Sequence, residues 1–196
     1  MAKALVLCAA VFFVFWCHFA CAAQRTYQLN GRNRATVNTG FRRCCNGRVT
    51  EVTESVAATL YDKNRRRTNF GSSRFTRRMS ELDKQPGDQK GHILASFAGG
   101  PAEIWNLAPQ ADNVNKRLLN RNSILAGWYE CENWIKRELE RGRNLPVRAT
   151  MRLSYGANCR PTHWSIEARN SNPNDPGCRA VNIRNGFGGS FTCRKH

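Results

Sequence analysis

Histidine is scarce in this chain: of 4 in 196 residues, His18 falls in an apolar leader and only His92, His163 and His196 follow it. One well-placed imidazole cannot run the two-histidine acid and base scheme of a metal-free ribonuclease, so such chemistry is excluded unless a different partner completes it. No two cysteines stand at the C-x2-C spacing with which one turn presents two thiolates to zinc, and that excludes the commonest structural zinc site. There is no internal repeat, linker or low-complexity tract to divide the chain. No apolar run reaches the roughly 18 to 20 residues of a membrane-spanning helix. Acidic residues are few as well: 14 Asp plus Glu stand against 31 Lys plus Arg, a formal charge of +17. Such an excess attracts polyanions, whether nucleic acid, anionic membrane surfaces or sulfated glycans.

What is present begins with a leader. Met1-Ala2-Lys3 gives a basic start, Ala4 to about Trp16 an apolar block, and Ala20-Cys21-Ala22-Ala23 the small residues of a cleavage site. Residues 1–23 therefore read as a secretory signal peptide, cut after Ala22 or Ala23, and the expectation is a secreted, extracellular protein without stable membrane association. Residues 24–196 are enough for a single domain with its own core. Beyond the leader six cysteines remain: Cys44, Cys45, Cys131, Cys159, Cys178 and Cys193. An even number in an exported chain implies three disulfides, with 15 possible connectivities. The neighbours Cys44 and Cys45 would be strained if joined to each other, so each is expected to reach the distant group.

Periodicity gives the coarse fold. Val49, Val52, Val56 and Leu60, set among Thr, Glu and Ser, predict extended chain with a bulge or turn over Arg48 to Tyr61. Leu107 to Arg141 reads as helical, with Pro109 in a first turn and Trp128, Cys131, Ile135 and Leu139 forming a core-facing stripe that Gly142 ends. Alternation returns at Val147, Ala149, Met151, Leu153 and Tyr155, at Trp164, Ile166 and Ala168, and briefly at Val181 and Ile183. The class is α+β: an antiparallel sheet with a helical insertion, stabilised by disulfides.

The residue types that suggest chemistry lie between Gly87 and Asn115. His92 follows Gly91, whose missing side chain permits close backbone approach, and precedes the apolar Ile93-Leu94-Ala95, which places it at the edge of a buried strand. Ala111, Val114 and Leu118 define an apolar helix face, and Asn115 falls within it. A buried amide needs partners. Either the backbone satisfies it, or its carbonyl oxygen faces a hard cation such as Mg²⁺. Asn106 and Gln110 either brace the loop or contact substrate. The arginine runs Lys63 to Arg67 and Arg74 with Arg77-Arg78 could form a phosphate-tracking flank.

The D-x-x-G-H run from Asp88 to His92, the Gly99-Gly100 pair, Asn106-Leu107 with Pro109-Gln110, and Asn115 together resemble the DNA/RNA non-specific endonucleases of the ββα-metal (His-Me finger) superfamily. The nuclease domains of type VII secretion toxins are the nearest subset, and the likeness extends over roughly residues 48–155. The resemblance implies a central ββα-metal motif and assigns roles. His92 would be the general base and Asn115 the ligand of a divalent cation, Mg²⁺ or in its place Mn²⁺. Trp128 and Glu132 match a tryptophan and a glutamate on the following helix, the glutamate orienting water on that ion. Asp88 would support the catalytic group. Lys90, Asn106, Gln110, Lys136, Arg77 and Arg78 would contact substrate, which by the resemblance is DNA and RNA.

The chain departs from the family pattern at several points. Many members read D-R-G-H, with the acid three residues before the histidine; here Gln89 holds that place and Asp88 stands one earlier. Lys90 replaces the arginine, keeping the charge without the planar fork. About five extra residues within Lys116 to Gly127 separate Asn115 from Trp128. Two other expectations fit the same composition: a basic secreted polyanion-binding protein, and a catalytically inactive nuclease homologue.

Overall fold

The computed structural model describes residues 4–6, 22–66, 68–115, 127–142, 145–186 and 193. Most of the apolar leader, Leu118 and His196 lie outside the described residues. Among the described residues there are nine strands and three α-helices: β1 (Ala4–Val6), β2 (Ala23–Gln28), β3 (Arg34–Arg43), β4 (Val49–Leu60), α1 (Ser73–Glu81), β5 (Gln89–His92), β6 (Leu107–Gln110), α2 (Asp112–Asn115), α3 (Gly127–Glu140), β7 (Val147–Tyr155), β8 (Pro161–Arg169) and β9 (Cys178–Arg184). Seven of the strands form one sheet in the order β1-β2-β3-β4-β7-β8-β9, every pair antiparallel. Everything from α1 to α3 is an insertion between the adjacent strands β4 and β7. The result is the expected α+β antiparallel architecture with an inserted helical part.

The alternation that predicts these strands appears as burial. In β7, Val147, Ala149, Met151 and Leu153 are buried while Arg148 and Arg152 are exposed, as the two-residue period of a one-sided sheet requires. In β4 the expected irregularity is a bulge: Ser55 pairs with Asn38 and Thr53 with Thr39, so Glu54 has no opposite residue. The predicted stripe of α3 covers the same face. Trp128, Cys131, Ile135 and Leu139 are all buried, and the Trp128 ring meets Trp164 of β8 edge-on at 5.2 Å. Burying one such side chain contributes about 2 kcal/mol, so this stripe, rather than helix propensity, holds α3 against the sheet.

One expected element changes type. The helix foreseen from Leu107 does not begin there: Leu107–Gln110 is β6, paired with β5 as a two-stranded ribbon, and helix starts only at Asp112. Pro109 sits opposite Lys90 in this ribbon. A proline lacks a donor for the ladder, but β6 has a single neighbouring strand, an edge position where that loss is tolerated. Asn115 also differs from expectation, since it is exposed at the end of α2, whereas Asn113 and Val114 carry the buried face.

Two of the expected disulfides are formed, Cys44–Cys159 and Cys45–Cys193, so each of the neighbouring cysteines does reach a distant partner. The first joins the β3–β4 turn to the β7–β8 turn. Buried Asp83 caps this corner by accepting hydrogen bonds from the backbone N–H groups of Cys45 and Cys159. Cys44, Asp83 and Cys159 lie close enough together to suggest a metal group. With both sulfurs in a disulfide no thiolate remains for an ion. The other two of the six, Cys131 and Cys178, are not joined in this structure.

Candidate active site

His92 is the last residue of β5, where the ribbon turns into the core through buried Ile93 and Leu94. Its ring stacks on Phe70, with centroids 4.2 Å apart and planes at 29°. Gly91 just before it is necessary: a Cβ there would stand 2.5 Å from Cβ of Gln110 on β6, so only glycine lets the two strands approach. Gly100 allows a second close approach, because a Cβ at that position would meet the Leu94 carbonyl oxygen.

Four elements converge beside the histidine. His92 and Lys90 of β5, Gln110 of β6, Asn115 of α2 and Glu132 of α3 line one cleft of about 420 Å³. A second hollow of about 370 Å³ shares Lys90 and Asn115 with it and continues past Thr76 and Lys84. Together they make a groove along the ribbon. Gln110 is 99% buried, and its amide nitrogen has no hydrogen-bond partner among the described residues. Burial pushes the Glu132 carboxyl up to about 7, an effect partly offset by the hydrogen bond it accepts from Trp128. The Lys90 ammonium donates to the Phe70 carbonyl and the Thr76 hydroxyl, both at 2.8 Å, which ties α1 to the ribbon and leaves one of its three donors over.

Other expected site residues lie outside the lining of this cleft, although Asp88 lines the second hollow. Asp88 is turned to Arg160: Nε and Nη2 of the guanidinium each donate to one carboxylate oxygen at 2.7 Å, and the Gln85 backbone N–H adds a third bond. This fork-to-fork pair is almost wholly enclosed. Asn106 is fully buried and serves the loop alone, accepting from Leu94 N–H and donating to the Leu94 and Pro101 carbonyls. Arg77 is exposed on α1. Arg78, beside it, is turned to Glu81 and the Glu51 carbonyl and lines a different hollow with Trp105 and Tyr155. Lys136, a turn after Glu132, is outside the cleft lining. His163 is on β8, its Nδ1 3.1 Å from the Thr162 hydroxyl.

The residues that sequence reasoning missed are those that brace the site. Asn185, just after β9, accepts from Ala111 N–H and donates to the Pro109 and Pro161 carbonyls. Asn113 of α2 donates to the Arg184 carbonyl and accepts from Gly186 N–H. Arg160 adds a bond to the Asn185 carbonyl. These contacts lock β6 and α2 onto the far edge of the large sheet. Phe70, which fixes the His92 ring, lies 22 residues upstream in a loop without any periodic pattern.

Type VII secretion system protein EssD of Staphylococcus aureus, in strain USA300 and equally in strain Newman, is 27% identical over 150 residues, which cover 74% of this chain and 22% of that protein. The chain thus spans less than a quarter of the length of these relatives. The crystal structure of NucA from Streptococcus agalactiae with no metal bound aligns with a TM-score of 0.45 and 14% identity, over 81% of this chain and 83% of that one. The family model described as DNA/RNA non-specific endonuclease matches residues 45–172, which include both strands of the ribbon, α2, α3 and every residue of the cleft. The chain belongs to the DNA/RNA non-specific endonuclease family.

Proposed function

We propose that this protein is a secreted, divalent-cation-dependent endonuclease that hydrolyses phosphodiester bonds of DNA and RNA with little sequence preference. The observation that carries the reading is the convergence of His92, Gln110, Asn115 and Glu132 from four elements on one cleft beside a lysine. Neutral His92 takes the proton of the attacking water, with its ring plane held by Phe70. The buried Gln110 amide and the remaining Lys90 donor offer hydrogen bonds to phosphate oxygens. Lys84 in the groove and exposed Arg77 extend the cationic track without reading bases. Asp88 is a positioning residue that acts through Arg160, and Arg78 belongs to the scaffold.

The donor set suits a hard cation. The Asn115 side-chain oxygen and the Glu132 carboxylate share the cleft, and among the described residues no cysteine lines it, which fits Mg²⁺ or Mn²⁺. When bound, the ion supplies charge stabilisation to the departing 3′ oxygen. The products then carry 5′ phosphates. Export is supported by the two disulfides, which persist in oxidising compartments, and by the leader read in residues 1–23.

Digestion of plasmid DNA and of a structured RNA by the purified protein, with Mg²⁺ or with EDTA, tests the proposal. Cleavage of both substrates is expected in Mg²⁺ alone. His92→Ala should lose at least about 100-fold in rate and retain binding to the same nucleic acids. Comparable cleavage by that variant would remove His92 as the base, and binding without any cleavage by the unmodified protein would favour a polyanion-binding protein or an inactive homologue.

A further inference from the structure

Four cysteines of the described fold are used in disulfides, and the two that are not face each other. Cys131 lies on the buried stripe of α3, and Cys178 opens β9, the edge strand of the large sheet. The Cys178 sulfur is 3.6 Å from the Cys131 carbonyl oxygen, so the two residues meet where α3 packs on β9. The helix and the strand are also in tight contact where α3 begins, since a Cβ on Gly127 would sit 3.0 Å from Cβ of Ala180. We propose that Cys131 and Cys178 form a third disulfide, which clamps α3, and with it Glu132 in the cleft, to the edge strand β9.

The chemistry around the pair leaves little else for it to do. A zinc site needs further ligands, and among the described residues no His, Asp or Glu joins these two sulfurs in a metal-sized group. A crosslink forms by thiol–disulfide exchange with a disulfide oxidant of the export compartment. The two thiols surrender two protons and two electrons, an S–S bond forms between them, and one disulfide of the oxidant is reduced to two thiols. Its position one residue before Glu132 then fixes the carboxylate relative to the sheet, closing a loop 47 residues in sequence separation.

The test reads covalent mass and stability, so it stands or falls separately from nuclease activity. Protein produced through an oxidising secretory route is alkylated under denaturing, non-reducing conditions, digested and mapped by mass. The peptides holding Cys131 and Cys178 should run as one species that separates on reduction. Cys131→Ala, Cys178→Ala and the double variant should each lower Tm by about 10 °C, and by the same amount, because losing either sulfur loses the whole bond. Alkylation of both cysteines in the unreduced protein overturns the proposal, as does their linkage to other cysteines. Additive losses in the two single variants would do the same, since that is the behaviour of packing alone.

Discussion

Burial that holds the Glu132 carboxyl at about 7 has a cost that depends on pH. Between the ordinary 4.5 and about 7 the folded protein keeps a proton that the unfolded chain has released. Stability is therefore fully present at acid pH and is lost as pH rises through 7, by about 3 kcal/mol for a shift of this size. Melting curves in EDTA from about pH 5 to pH 8 should show Tm falling, and Glu132→Gln should flatten the fall. A cation beside the carboxylate reverses the preference by favouring its charged form, so added Mg²⁺ should raise Tm most at the upper end. A profile identical in the Gln variant would assign the slope to another group. Asn115 is exposed at the cleft and holds little of the core. Asn115→Ala should accordingly leave Tm nearly unchanged while moving the Mg²⁺ titration of cleavage to concentrations about tenfold higher or more. An unmoved titration would remove Asn115 as the ligand.

At the scale of elements, the ribbon of β5 and β6 is positioned by buried polar contacts as well as by the apolar packing of Leu107 and Ala108. The Asp88–Arg160 pair is 2% and 10% exposed at the two side chains. Breaking a buried pair from one side leaves an uncompensated charge. Arg160→Met should therefore destabilise by about 3 to 5 kcal/mol, measured by urea unfolding, and should slow cleavage even at temperatures where the variant is folded. A loss under about 1 kcal/mol would mean that Asp88 finds water instead.

Much of this scale was legible in the sequence. Valines set among Thr, Glu and Ser located β4 as extended chain with a bulge, alternation located β7 and β8, and the stripe from Trp128 to Leu139 located α3. Pro109 misled, since a proline suits a helix start and an edge strand equally, and only pairing with Lys90 decides between them. His92, Gln110, Asn115 and Glu132 were legible as candidates through motif order. Asn113, Arg160 and Asn185 were not, because the contacts that brace the ribbon and α2 span 71 to 76 positions and asparagine is unremarkable in any loop.

For the whole molecule, the proposed activity makes charge the dominant factor in the encounter with nucleic acid. Binding that rests on phosphates falls with salt by a power set by the number of contacts. If the groove neutralises about six phosphates, affinity should drop about 1,000-fold between 50 and 200 mM salt. Fluorescence anisotropy with His92→Ala in EDTA measures this directly, and unrelated DNA sequences should give one common slope. A shallow slope, or strong preference for one sequence, would contradict a backbone-tracking groove.

The insertion between β4 and β7 also has a consequence in time. The chain is made from its amino end, so His92, Asn115 and Glu132 all exist before Asn185, the side chain that ties β6 and the start of α2 to the large sheet. Edge strand β9 is likewise synthesised after every residue of the cleft. A ribosome-bound chain that already carries the complete set of cleft residues still lacks the brace that ties them to the large sheet, so the cleft is completed only once β9 and Asn185 have been made.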